Sequence, residues 1–212
     1  MTGTFITFEG PEGSGKSTQV KLLVERLEAE SKKVVCTREP GGTATGEAIR
    51  NILQHDSVGE QLGEHAELLL FTASRAQLMN QVILPSLEKG EWVICDRFID
   101  STLAYQGFAR DLKIETLDLI NDFAIYGRKP DLTILLDLDI EHGFERVEER
   151  YSDGKGATDR FEREARDFHQ RVRDGYHQLA QREPARFRTI DAGRSVEVVA
   201  SDVWSAVREA VL

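Results

Sequence analysis

Gly10-Pro11-Glu12-Gly13-Ser14-Gly15-Lys16-Ser17 fits G-x-x-x-x-G-K-[ST], a phosphate-binding loop. The context this pattern requires is present on both sides. Thr4 to Phe8 is a β-branched and aromatic run that reads as a strand, and Gln19 to Glu30 is amphipathic with helical spacing. Glycines at these positions permit backbone conformations closed to residues with a Cβ, so successive N–H groups can turn inward around phosphate oxygens. Lys16 supplies a point charge for the β- and γ-phosphates and Ser17 a hydroxyl for Mg²⁺. The helix that follows aims its positive end at the same anion. Gly10 to Thr18 is therefore the segment expected to bind a nucleoside triphosphate.

Working outward, the chain keeps a strand-then-helix rhythm. Lys33 to Thr37 is a second strand that ends in Arg38-Glu39-Pro40-Gly41-Gly42-Thr43, strong loop chemistry. Helical periodicity runs over 46–53 and from about Gly63 to Leu87, with a break expected near Pro85. Trp92 to Cys95 and Leu132 to Leu136 are apolar throughout, as strands covered on both faces are. Arg188 to Ile190 is a short fifth strand and Val196 to Val211 a last helix. Alternating strands and helices predict a single α/β domain over 1–212, a three-layer α/β/α P-loop NTPase fold around a five-stranded parallel sheet. From Tyr151 to Asp159 apolar periodicity is lost, and a long helix is expected from about Arg160. Two glycines, Lys155 and flanking arginines make 146–162 the expected mobile lid over phosphates.

The net charge of −10, from 37 acidic against 27 basic residues, argues against a nucleic-acid partner. No apolar run approaches a membrane span, and no leader is expected before a strand that begins so early. Cys36 and Cys95 form no C-x-x-C pair and read as buried free thiols of a cytoplasmic protein. The five histidines show no metal-ligand spacing.

Asp96 directly follows the third strand, at the carboxyl edge where parallel sheets bind ligands, and suits Mg²⁺ opposite the phosphate loop. Arg97 stands where an ATP-hydrolysing machine would commonly place a glutamate to polarise water. An arginine there suggests a second phosphorylated ligand. Arg38 lies in the loop after the second strand, at the same edge, so Arg38, Arg97 and Lys16 can converge on one anionic pocket. No Asn-Lys-x-Asp stretch for reading guanine occurs.

Asp96-Arg97-Phe98-Ile99-Asp100-Ser101-Thr102-Leu103-Ala104-Tyr105-Gln106-Gly107 resembles the D-R-[YF]-x-x-S-x-x-A-Y-Q-G signature of thymidylate kinases. Thr37 to Thr43 resembles that family's T-R-E-P-G-G-T loop, and the segment from Phe8 to Gln19 its opening. Phe71-Thr72-Ala73-Ser74-Arg75, Asp159-Arg160-Phe161-Glu162 and Ile190-Asp191-Ala192 complete the likeness in the same order. The resemblance implies γ-phosphoryl transfer from ATP, bound by Gly10 to Thr18 with Mg²⁺, to dTMP. By that likeness Arg38 and Arg97 hold the acceptor phosphate beside Arg50 and Pro40, and Phe71 stacks on thymine. Arg75, Gln106 and Ser101 meet the base edge, Tyr105 crowds the sugar 2′ position and Glu12 meets the 3′-hydroxyl. Asp96 organises Mg²⁺, with Ser17, and Arg97. The phosphate loop carries no arginine, as in the bacterial-type subgroup whose lid supplies the cation. Of Arg146, Arg150, Lys155 and Arg160, the favoured pair is Arg150 and Arg160. The family likeness also implies a homodimer through the helices between Leu62 and Leu87 and between Glu115 and Ile125. Adenine is expected beside Arg150 and the Ala192-Gly193-Arg194 turn.

Overall fold

A computed structural model of the chain describes residues 3–54, 61–152 and 160–212, apart from the side chains of Arg150 and Ser152. β1 (Phe5–Glu9) is buried over its whole length, because helices cover both faces of the sheet. It lies at the centre of the parallel order β2-β3-β1-β4-β5, with β2 Val34–Arg38, β3 Trp92–Asp96, β4 Leu132–Asp137 and β5 Phe187–Asp191. The register pairs Phe8 with Asp96 and Arg38 with Asp96. The carboxyl ends of β1, β2 and β3 are thereby level, and the loops that leave them meet on one edge.

Helices α1 (Lys16–Ala29) and α9 (Val196–Val211) pack together on one face. With the strands they bury Phe8, Leu27, Ile134 and Val207. On the other face α3 (Glu64–Leu78), α4 (Leu84–Glu88) and α5 (Ile99–Thr102) bury Leu78, Leu87 and Ile99 with Phe5 and Val93 of the strands, and α2 (Ala44–Gln54) and α6 (Ile114–Ala124) pack on α3. α7 (Ile140–Ser152) and α8 (Arg166–Arg182) lie between β4 and β5 in the chain, with α8 packed on the π-helical turn Leu103–Ala109 that continues α5.

Two expectations from the sequence are corrected and one takes a definite form. The break expected near Pro85 is a π-helical turn, Met79–Ile83, just ahead of it. Pro85 has no N–H to give a preceding carbonyl, and the helix widens by a residue before accepting it as its first turn. The helix expected from Arg160 begins at Arg166, after turns that carry Phe161 into the core. Cys36 is exposed, not buried, because β2 is an edge strand; Cys95, on the inner strand β3, is buried and free.

Candidate active site

The loop between β1 and α1 takes its shape from its glycines. Gly10 sits at φ +142° and Gly13 at +73°, both in the region glycine favours. A Cβ on Gly10 would lie 2.3 Å from the Leu136 carbonyl, and one on Gly13 2.4 Å from that of Gly143. The loop therefore nests against β4 and α7 only because these side chains are absent. Lys16 Nζ donates to the carbonyls of Gly10 and Pro11, both at 2.9 Å, and to Ser14 Oγ at 3.3 Å. Burial and the nearby Arg97 charge lower its pKa to about 8, against Glu12, Asp96 and Glu9.

Ser17 Oγ donates to Asp96 Oδ2 at 3.0 Å. A carboxylate and a hydroxyl are hard oxygen donors, and Mg²⁺ usually takes one or two such groups with phosphate oxygens and waters. Among the described residues no group of three His, Cys, Asp or Glu could cage a metal. The Ser17–Asp96 pair fits a Mg²⁺ that arrives with a nucleotide.

Arg97 leaves β3 in a left-handed conformation, φ +70°, its N–H bonded to the Phe8 carbonyl at 2.9 Å. Its Nη2 donates to Glu12 Oε1 at 2.6 Å, and its guanidinium lies over the Tyr105 ring. Burial would raise the Glu12 pKa, but Arg97 and Lys16, with the Tyr105 hydroxyl at 2.9 Å, bring it down to about 2. Glu12 is thus a fixed anion that ties the phosphate loop to Arg97. Arg38 stands across the cleft with its Nη2 on both oxygens of Glu47 (2.9 and 3.0 Å), and Arg50 Nη1 donates to the Pro40 carbonyl at 2.9 Å.

The other end of the cleft is aromatic. Phe71, Tyr105 and Phe161 form a wall, with Phe161 5.7 Å from Phe71 and 5.9 Å from Tyr105 between ring centres. Gln106 Nε2 donates to Glu67 Oε1 at 2.7 Å. Arg75, 1% exposed, directs its N–H groups to Glu39, Thr102 Oγ1, Asn121 Oδ1 and the Phe98 carbonyl. A single cleft of about 670 Å³ takes in the loop from Glu12 to Thr18, Arg38, Pro40, Arg50, Asp96, Arg97 and Ser101 together with this aromatic end.

A family model described as Thymidylate kinase matches residues 8–203. The chain belongs to the thymidylate kinase family. It is 52% identical to a thymidylate kinase of Pelotomaculum thermopropionicum over 99% of this chain and 94% of that one. It is 48% identical to one of Bradyrhizobium sp. over 98% and 90%. The crystal structure of a thymidylate kinase from Ehrlichia chaffeensis superimposes with a TM-score of 0.79 at 35% identity, covering 98% of this chain and all of that one. The α/β reading with a five-stranded parallel sheet agrees with this likeness.

Within this thymidylate kinase fold the cations of 146–160 are placed unequally. Lys155 and the Arg150 side chain lie outside the described residues. Arg160 is engaged elsewhere, with Nε on the Leu53 carbonyl at 3.1 Å and Nη2 on Glu67 Oε2 at 2.6 Å. Arg146 lines the cleft instead, donating to the Gly13 carbonyl (3.3 Å) and the Ala192 carbonyl (3.1 Å). It bridges the phosphate loop to the turn after β5. Phe161, Thr102 and Glu39 also line the cleft and were not singled out from the sequence. Phe161 had a signal, being the apolar residue inside Asp-Arg-Phe-Glu, whereas Glu39 and Thr102 are recognised only through their bonds to Arg75.

Proposed function

We infer that the protein transfers the γ-phosphoryl group of ATP to the 5′-phosphate of dTMP, giving dTDP and ADP. The observation that carries this reading is one cleft with a phosphate loop at one end, an aromatic slot at the other and Arg97 between them. Lys16 and the loop N–H groups hold the triphosphate, and Arg38 and Arg97 hold the acceptor phosphate. Bound with ATP, Mg²⁺ supplies charge neutralisation on the phosphate oxygens, and Ser17 and Asp96 would hold it. The acceptor needs no general base, since a phosphate monoester with a second pKa of about 6 is already an anion. The chain's own task is to bring two anions into line and suppress their repulsion.

The aromatic slot accepts thymine against Phe71, and Tyr105 closes the sugar side. Glu67 fixes the amide of Gln106 by its nitrogen, which leaves its oxygen for a ring N–H. The Arg75 bonds to neutral oxygens are the ones a base oxygen can compete for, since those to Glu39 are charge-assisted. Arg146, Arg150 and Arg160 are the lid-side cations; Arg150 and Arg160 contact the transferring group when the lid over 146–162 closes, and Arg146 steadies the loop. The protein acts as a homodimer through α3 and α6, which present Leu69 (59% exposed), Leu119 (75%) and Phe123 (84%) to solvent in one chain. It works in the cytoplasm, where an exposed free thiol such as Cys36 stays reduced. No helix among the described residues is long and apolar enough to cross a membrane.

The test is ADP release with dTMP, dUMP, dGMP and thymidine as acceptors. The expected result is turnover dependent on an acceptor and fastest with dTMP. ATP turnover that ignores the acceptor would overturn the reading, and equal rates with dUMP would remove its thymine selectivity.

A further inference from the structure

A fully buried hydroxyl on α8 touches the acceptor arginine from outside the cleft. Tyr176, with no exposed surface, places its Oη 2.9 Å from Glu9 Oε2, 2.9 Å from Ser101 Oγ and 3.2 Å from Arg97 Nη1. Glu9, equally buried, is the last residue of β1. Its Oε1 accepts from the N–H groups of Phe98 (2.8 Å) and Ser101 (3.2 Å). Its Oε2 accepts from Ser101 Oγ (2.6 Å) and from Tyr176.

Counting hydrogens gives this cluster a direction. An ionised carboxylate can only accept, so the Ser101 and Tyr176 hydroxyls deliver their protons toward Glu9 Oε2, with either able to donate across the 2.9 Å contact between them. The lone pairs of Tyr176 Oη and Ser101 Oγ are then the sides left for Arg97 Nη1, which donates to them at 3.2 and 3.3 Å and to the Gly10 carbonyl at 3.3 Å. Arg97 needs such support, because its backbone already occupies a left-handed conformation that a non-glycine residue seldom takes. Glu12 pulls one nitrogen toward the phosphate loop, and Tyr176 with Ser101 holds the other toward β1.

We propose that Tyr176, its hydroxyl oriented by Glu9, is a positioning residue that sets the direction of the Arg97 guanidinium for the acceptor phosphate. The assignment rests on the phosphoryl-transfer reading above and extends it to a residue of α8, the helix that follows the lid. It explains why a phenol lies wholly buried against a carboxylate where phenylalanine would fill the same space.

The test uses the full chain with Tyr176→Phe and, independently, Glu9→Gln, assayed at pH 8. The first deletes the oxygen. The second puts an amide donor where Oε2 accepts, which turns the hydroxyl protons toward Arg97. Each is expected to lower kcat about tenfold with KM for dTMP within about threefold, as misalignment of a group already in the site does. In an Arg97→Lys background the same changes should cost less than about twofold, because the group they orient is gone. A kcat within twofold of wild type in folded variants, or an equal loss in both backgrounds, would overturn the proposal. Crystal structures of the variants give a readout independent of the acceptor: Arg97 should leave Glu12 or occupy more than one position. An Arg97 that stays in place in both variants overturns the positioning role even if the wild type proves inactive on dTMP. Wild-type inactivity on dTMP with a displaced Arg97 would overturn the reading of the reaction instead.

Discussion

Two arginines of the same cleft are held in opposite ways. Arg75, at the aromatic end, is 1% exposed and every one of its five N–H groups faces an acceptor, the strongest being the Glu39 carboxylate at 2.6 Å. Arg97, at the phosphate end, has one short bond, to Glu12, while Nη1 shares its hydrogens among three oxygens at 3.2–3.3 Å. Locked donors build a wall of fixed shape, whereas Arg97 is aimed by several longer bonds whose hydrogens stay available to an incoming anion. The aromatic end, proposed to take the base, is therefore rigid by construction, and the phosphate-loop end is poised.

The largest effect expected from breaking this contrast is on stability, at the base end. Arg75→Met leaves Glu39 buried without its cation and should cost about 3–5 kcal/mol of unfolding free energy in urea titrations. Replacing Glu39 by leucine as well should restore a good part of that loss, since the uncompensated charge is then gone. A single variant as stable as wild type would remove the distinction between the two arginines. Arg97→Ala should do the reverse. We expect kcat to fall by about 10²–10³, the usual consequence of removing a donor aimed at developing charge, with a smaller loss of stability than in Arg75→Met, since Glu12 is 24% exposed and keeps Lys16 nearby. A large loss of stability with ordinary turnover would show that Arg97, too, is a structural residue.

How far each end was readable follows from what holds it. The phosphate loop is fixed by local backbone geometry, so Gly10, Gly15 and Lys16 announce it by spacing alone. The convergence of Arg38 and Arg97 was also legible, because both follow strands of one parallel sheet and therefore leave at one edge. Partner identity was not legible. Arg160 and Glu67 are 93 residues apart, and nothing near either names the other. Arg75 reads as a base contact by family likeness, yet its donors are directed to Glu39, Thr102, Asn121 and Phe98 by packing of β2, α3, α5 and α6. Tyr176 is one aromatic on an amphipathic helix, indistinguishable in sequence from core filler. Glu9 had the better signal, a carboxylate ending a strand with no other charge, a position where burial demands several donors.

A smaller effect should be visible through pH. Burial, with the charge of Asp100 behind it, raises the Glu9 pKa from 4.5 to about 7, against hydrogen bonds from Ser101 and Tyr176 and the charge of Arg97. The folded chain holds this proton more tightly than the unfolded one, so Glu9 makes the fold less stable as pH rises from about 4.5 through 7. The amide introduced by Glu9→Gln cannot ionise. The stability of that variant relative to wild type should therefore improve between pH 5.5 and 8.5 in paired thermal melts. A relative stability that worsens over this window would mean that the four donors around Glu9 outweigh its burial.

The smallest expected effect lies at Arg38, and it sharpens the contrast most economically. Its side chain is 52% exposed and that of Glu47 42%, so their bidentate pair sits in water. An exposed ion pair is worth about 0–1 kcal/mol, and Arg38→Ala should hardly move the melting temperature. If Arg38 holds the acceptor phosphate, the loss must appear in binding. KM for dTMP should rise about tenfold while kcat stays within about threefold, the signature of contact made equally in ground and transition states. Glu47→Gln tests the same point from the other side. Loosening the neighbour that holds Arg38 should leave KM for dTMP unchanged or lower it, because the guanidinium no longer has to leave a full charge to meet the phosphate. If instead Arg38→Ala reduced kcat as Arg97→Ala does, the two arginines would share the work of alignment, and the poised region would extend from β3 across the cleft to β2.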